Sequence, residues 1–509
     1  MKGTLVPQNG GKSGTSRPRK RKRNNVLYGL FSVLGLIFFA ENIAYLSSIH
    51  NDILATTMGD TSKPRVPQEK GGSAFCLLIK DDNDILPEWV AYHYHVFQMR
   101  RLIVAVDPDS KTSPLDVLQG WIENFDYFGL DVTIWNDEDY TPEFFYKTKD
   151  YSKLPNSVKK SVVLVNPSKK KQSDQLNDPI LRTNWHTNKT YVKEHQEEVR
   201  EEVIRINNHR FRQKNFVSEC FRQVKKEHNI SPFWRSKDFI SWAVHIDTDE
   251  YLVPNPWIAT YLRNETDTSA SKHFRLKVLA RIFPYTPSEG SLWKFFKEFF
   301  KHNKKSNEKT CVMMPRILFG SKEDPGNMTI ATATTTLSED YRANKLTWYH
   351  SKFETLRWKY HANFETEARP KSMINVDQLQ ETDGIFENKT AGSIHRPLSG
   401  RLGSNQNRNG CPAEPKTIYN DRRFAQPIAV YHYLGSLERY LSRADARRDE
   451  RVYERNNRKG TYAKGDGNDV DKSPGWWIGG WLDNFVAGHD REMAYSVLPE
   501  PYATRQPLE

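Results

Sequence analysis

Between Ala243 and Pro254 the chain reads AVHIDTDEYLVP, so Asp247, Asp249 and Glu250 crowd directly behind a short apolar alternation, Val244 and Ile246. Carboxylates at that spacing repel one another, and a divalent cation supplies more compensating charge than any one side chain. In an extended or turning backbone, residues two apart point the same way. Asp247 and Asp249 are therefore expected to converge on one ion while Glu250 turns elsewhere and braces the loop. Mn²⁺ (or Mg²⁺) takes one or two carboxylates and leaves its other positions for waters and phosphate oxygens. So open a site suits a diphosphate leaving group, whose developing charge the cation neutralises. The bland alternative is a solvated acidic turn, because D-x-D alone is a weak pattern and only its context lifts it.

That context is a set of elements able to position the acids. Phe239 to Ile246 reads as the strand that delivers them. Upstream, FCLLIK (Phe75 to Lys80) is a continuous apolar run of the kind found in central strands. In DDNDILPEWVAYHYHVFQ, Pro87 suits a helix's first turn, and Ile85, Trp89, Val90, Tyr92, His93 and Phe97 suit its buried side. RLIVAVD, ending at Asp107, is a second buried-type strand. Strand, helix and strand make a βαβ unit, which implies a mostly parallel, Rossmann-type α/β sheet with flanking helices and ligands outside the strands' carboxyl ends. LDVTIW (Leu130 to Trp135) is a third strand, and Tyr191 to Lys226 is a helix with Phe216, Val217, Cys220, Phe221 and Val224 as one stripe. IAVYHYL (Ile428 to Leu434) reads as a late strand and Ser436 to Asn456 as a charged surface helix. The folded body is expected over 73–500, with insertions near 148–190, 284–310 and 398–420.

The formal charge of +12 is unevenly placed: residues 1–23 hold eight basic side chains and no acid. A nearly balanced body behind a basic tail is not the footprint of a nucleic-acid-binding face, so no nucleic-acid partner is expected. Val26 to Ala40 carries no charge, and the apolar run resumes with Ile43 to Leu46 beyond Glu41 and Asn42. About twenty residues span roughly 30 Å as a helix, the thickness of a bilayer's hydrocarbon layer. Residues 1–25 then form a cytosolic tail, 26–46 a transmembrane signal-anchor and 47–72 a flexible stem, which places the body in the secretory lumen. A cleaved signal peptide is the alternative for Val26 to Ala40, but no clean small-x-small cleavage site follows. Cys76, Cys220, Cys311 and Cys411 lie on the lumenal side. Three complete pairings are open, and buried thiols are the plainer reading of Cys76 and Cys220. Asn188, Asn229, Asn264, Asn327 and Asn388 each begin an N-x-S/T sequon.

The runs CLLIKDDNDILPEWVAYHYHVFQMRRLIVAVDPDS, HIDTDEYLVP, RILFGS, PKSMINV, GSIHRP and YHYLGSLERYLSR, in that order, resemble glycosyltransferase family 92 and the related family-2-like group. The resemblance covers most of Phe75 to Arg443, and its most specific pieces are E-W-x-x-Y-H, D-x-D-E-Y-L and H-Y-x-x-S. It implies a GT-A fold, a UDP-sugar donor with UDP-galactose the usual one, a divalent metal, and inverting transfer to a glycan in the Golgi. By that resemblance Asp247 and Asp249 are donor and metal carboxylates, and Asp107 is the acid presented to the nucleoside. Glu88, Trp89 and His93 match the family's first helix, where packing is an equal reading for Trp89 and His93.

Glu250, Lys371, Arg212 and Gln213 are further donor-side candidates. Lys371 is the partner for the diphosphate or, more blandly, a surface lysine. His395 and His432 each follow a short apolar strand and are candidates to complete the metal site, His395 first; an ordinary buried or half-buried histidine is the plainer reading of either. An inverting transfer also needs a base. FGSKEDPGN offers Glu323 and Asp324 for it, Asp324 first. VDPDSKTS stands where the family has a glycine-containing turn, which leaves the donor-base contacts open. A non-catalytic lumenal carbohydrate-binding or scaffold protein on the same fold is the competing reading.

Overall fold

The computed structural model describes residues 71–141, 196–230, 241–256, 258, 281–302, 311–322, 348–362, 370–379, 394–395, 397, 411, 426–442, 450–461, 463–464 and 475–499. The expected tail, anchor and nearly all of the stem, the 148–190 segment, and both base candidates, Glu323 and Asp324, lie outside the described residues. Among the described residues, no helix is long and apolar enough to cross a membrane.

The elements that frame the site are strand β1 (Ser73–Ile79), helix α1 (Leu86–Phe97), β2 (Met99–Val106), β3 (Asp131–Trp135), α2 (Gln196–Ile230), β4 (Trp242–His245) and β5 (Glu250–Pro254). After them come α3 (Ser291–His302), β6 (Cys311–Met314), β7 (Arg316–Phe319), α4 (Glu354–Arg357), β8 (Tyr360–His361), β9 (Lys371–Asn375), β10 (Ile428–Tyr433), α5 (Leu437–Ser442), β11 (Ala463–Lys464) and α6 (Trp481–Gly488). They form a mixed α/β body with two sheets. The first has the order β3-β2-β1-β4-β9-β6, and the second β11-β8-β7-β10-β5. Strands β3, β2, β1 and β4 are mutually parallel; at one edge β9 runs antiparallel to β4, and β6 antiparallel to β9. This mostly parallel sheet is compatible with a Rossmann-like topology.

The unbroken apolar runs of β1 and β2 follow from burial on both faces. Phe75, Leu77 and Ile79 point into one core with Leu102 and Val104, against α1 and α6. Ala74 and Cys76 point the other way with Ile103 and Ala105, against Phe216, Val217, Phe221 and Val224 of α2. The stripe predicted for α2 is thus the one it buries. Its Cys220 is disulfide-bonded to Cys76 of β1, so these two residues are not the buried free thiols of the plainer reading, and Cys311 pairs with Cys411. The segment near 284–310, expected to be loop or insertion, contains α3. Its Trp293 and Phe296 rings pack on Phe97 at 5.2 and 5.8 Å, so it belongs to the core.

Between β1 and its two neighbours the chain order reverses: the crossover from β1 leads to β2 on one side, while β4 joins it on the other. The crevice at the carboxyl ends of β1 and β4 is where open α/β sheets bind ligands.

Candidate active site

The Asp247–Asp249 turn is the passage from β4 in the first sheet to β5 in the second. It is closed by the Glu250 amide donating to the Asp247 carbonyl at 3.1 Å. The Trp89 indole of α1 donates to the carbonyls of Asp247 and Glu250, at 3.1 and 2.9 Å, and so clamps both ends. Glu250 folds back and accepts the Asp247 amide on Oε2 at 2.9 Å, the bracing role expected of it.

Register supplies the cations. β4 runs antiparallel to β9 with His245 opposite Ser372, so Lys371 arrives beside the turn. Its ammonium lies 2.8 Å from Asp247 Oδ2 and 2.9 Å from Glu250 Oε2, with the side chain wholly buried. Lys371 is therefore not a surface lysine. In the second sheet, β10 pairs His432 with Glu250 across one edge and lies against β7 on the other. Arg316 of β7 consequently reaches Glu250 Oε1 at 3.0 Å and donates to His432 Nδ1 at 2.7 Å. His432 Nε2 stands 3.8 Å from Asp249 Oδ1. With Nδ1 accepting from a guanidinium, any proton on a neutral His432 sits on Nε2, the side facing Asp249.

Exposure separates the two aspartates. The Asp249 side chain is 9% exposed and the Asp247 side chain 43%, and Asp247 Oδ2 is the oxygen that bonds Lys371. Burial works to raise the Asp247 carboxyl, but the Lys371 charge, helped by His245, overrides it and holds the group well below the usual carboxylate range. Glu250 goes the other way: its burial raises it against the pull of Lys371 and Arg316. Burial also opposes the charge on Lys371, yet its two carboxylates raise it and keep it protonated.

A second group of charges adjoins Asp249. Thr248 donates to Asp82 Oδ2 at 2.9 Å, tying the turn to the residues that follow β1. Arg439 of α5 bonds Glu354 of α4 and stands 3.7 Å from Asp84 Oδ2, and it also feels the charges of Asp249 and Asp82. Among the described residues, the six carboxylates of this network, Asp82, Asp84, Asp247, Asp249, Glu250 and Glu354, outnumber its three permanent cations, Lys371, Arg316 and Arg439. Asp82 and Asp84 were visible in the acidic run DDND. Nothing local marked Arg316, Glu354 or Arg439.

The first-helix residues brace this arrangement. His93 Nδ1 donates to the Trp89 carbonyl at 2.8 Å and Nε2 accepts the Leu252 amide at 3.2 Å. Burial lowers its pKa to about 3, so it is a neutral structural link between α1 and β5. Glu88 accepts the Glu354 and Thr355 amides at 2.8 and 2.9 Å and the Thr355 hydroxyl at 2.6 Å, capping the start of α4. Burial raises its pKa to about 8, with the neighbouring Glu354 charge adding to the effect. A raised folded-state pKa means that Glu88 contributes most stability below its unfolded value of about 4.3, a contribution lost as pH climbs to about 8. Urea unfolding of Glu88→Gln against the parent is expected to show a shallower loss of stability across pH 5 to 8; parallel profiles would contradict this.

The remaining donor-side candidates are dispersed. Asp107 directly follows β2, and its carboxylate is fully buried, with Oδ2 2.8 Å from His209 Nδ1 and Oδ1 accepting the Asp109 amide at 2.9 Å. Burial would raise it, and His209 and the hydrogen bonds bring it below its ordinary value. Arg212 of α2 pairs with Asp137 at 3.6 Å, beyond the end of β3, and its neighbour Gln213 is half-buried. His395 is half-buried in a turn whose Ile394 packs on the α2-side core. The histidine that the structure brings to the acid pair is thus His432, 3.8 Å from Asp249 Oδ1, although the sequence favours His395.

Among the described residues, no three His, Cys, Asp or Glu side chains are grouped to hold a metal ion. The donor set nevertheless fits a hard cation that keeps oxygen ligands of its own: Asp249, the outer oxygen of the exposed Asp247 carboxylate, and surroundings with an excess of negative charge. Comparison with known proteins gives no matching family model, curated protein or solved structure.

Proposed function

We propose that the chain is a metal-dependent inverting glycosyltransferase with a GT-A-like body. It moves a hexose, best matched by galactose from UDP-galactose, onto a glycan acceptor in the Golgi lumen, where residues 26–46 anchor it as a type II membrane protein. The observation that carries this reading is the Asp247–Asp249 turn at the carboxyl edge of the parallel strands, beside the switch point and within an acid-rich network. Two disulfides agree with an oxidising compartment.

Asp249 and Oδ1 of Asp247 would hold Mn²⁺ (or Mg²⁺), which supplies charge to offset the departing diphosphate. Lys371 and Arg316 fix Asp247 and Glu250 so that the turn is preorganised. The acceptor hydroxyl attacks the anomeric carbon opposite the UDP leaving group and gives its proton to a carboxylate base, with Asp324, and Glu323 beside it, as candidates. Detergent-solubilised full-length protein is expected to release UDP from UDP-galactose in the presence of a glycan acceptor, to stop with EDTA and to recover with Mn²⁺. A second reading, a non-catalytic carbohydrate-binding or scaffold protein, is favoured by the Lys371–Asp247 ion pair, which compensates that carboxylate without any metal. Glycan binding with no UDP release from any nucleotide sugar would select it.

A further inference from the structure

We infer that Lys371 sets the order in which this site fills, so that the divalent cation enters with the nucleotide diphosphate rather than before it. The inference rests on the metal-site reading above. Lys371 Nζ is within hydrogen-bonding distance of Asp247 Oδ2, and the side chain has no exposed surface. It begins β9, which is paired on both sides, by β4 and by β6. Glu250 holds the same ammonium, and Arg316 in turn holds Glu250. The lysine is therefore locked, and a cation arriving at Asp247 must share that carboxylate with a fixed positive charge.

In the free protein this repulsion opposes the pull of the surrounding acids, and it falls on Asp247, the carboxylate that Lys371 holds, whereas Asp249 lies beside His432 Nε2 at 3.8 Å. A diphosphate changes the balance. Its oxygens add anionic ligands to the cation, and their charge is attracted by Lys371 rather than repelled. Cation and diphosphate thus bind with strong positive coupling, which by linkage acts equally on both.

The test is Mn²⁺ binding to the full-length protein in detergent, read from the electron paramagnetic resonance signal of free Mn²⁺, with and without UDP. The parent is expected to bind Mn²⁺ roughly 10- to 100-fold more tightly when UDP is present. Lys371→Gln is expected to tighten Mn²⁺ binding without UDP by about 10-fold and to shrink the coupling. That substitution leaves buried Glu250 one counter-charge short. A Lys371→Gln/Glu250→Gln pair removes one charge of each sign and should also gain, by less, because one of the attracting acids goes with the lysine.

Equal Mn²⁺ affinity with and without UDP in the parent overturns the inference and needs no variant. So does unchanged Mn²⁺ affinity in either variant when circular dichroism shows it folded. No Mn²⁺ binding even with UDP present would instead remove the metal-site reading itself, and the inference with it.

Discussion

Asp249→Asn is expected to lower Mn²⁺-dependent UDP release by about 100-fold or more, a loss of roughly 3 kcal/mol in transition-state stabilisation. The amide keeps the carboxylate's shape, and the hydrogen bond from the Tyr433 amide to the Asp249 backbone carbonyl does not involve the side chain. The fold should therefore survive, and the removed charge is one of an excess of acids around Arg439 and Glu354. Steady-state UDP release paired with a thermal melt separates the two effects. Wild-type turnover in a folded variant would show that Asp249 does no metal chemistry.

Glu250→Ala should produce the largest loss of stability in the site. The carboxylate is fully buried and joins Lys371, Arg316 and the Asp247 amide. Deleting it takes from Arg316 its ion pair at 3.0 Å and leaves Lys371 with Asp247 as its remaining carboxylate of the two, and removing one partner of a buried pair costs about 3–5 kcal/mol. Asp247→Ala, on a half-exposed side chain, leaves Lys371 still paired with Glu250 and should cost far less. Urea denaturation of the two variants compares them directly. Equal midpoints would mean that the Glu250 network is not what holds the β4–β5 passage.

Why some of this was readable and some not follows from how each feature is encoded. β1 and β2 are apolar at nearly every position because both faces are covered, and a run such as FCLLI states that locally. The α2 stripe and the acids behind β4 are likewise local patterns. The second sheet is not: β5, β7 and β8 are two to five residues long and acquire meaning only from partners far along the chain.

The same holds for the charges. Lysine and arginine are usually solvated, so a buried Lys371 or Arg316 can be recognised only when strand register brings it to Glu250. Trp89 and His93 were open between ligand and packing roles, and their hydrogen bonds to the turn and to β5 make them braces. The cysteines show the point again. Cys76 and Cys220 each looked inward for apolar reasons, and their bond exists because α2 lies across β1.

The most direct measurement of the central claim is a crystal structure of the protein grown with Mn²⁺ and UDP, with the metal located by anomalous scattering. The account predicts one Mn²⁺ within about 2.0–2.3 Å of an Asp249 carboxylate oxygen, ligated also by the diphosphate, with Lys371 still on Asp247. Manganese and UDP bound elsewhere, with the carboxylates of Asp247 and Asp249 turned away from both, would contradict it.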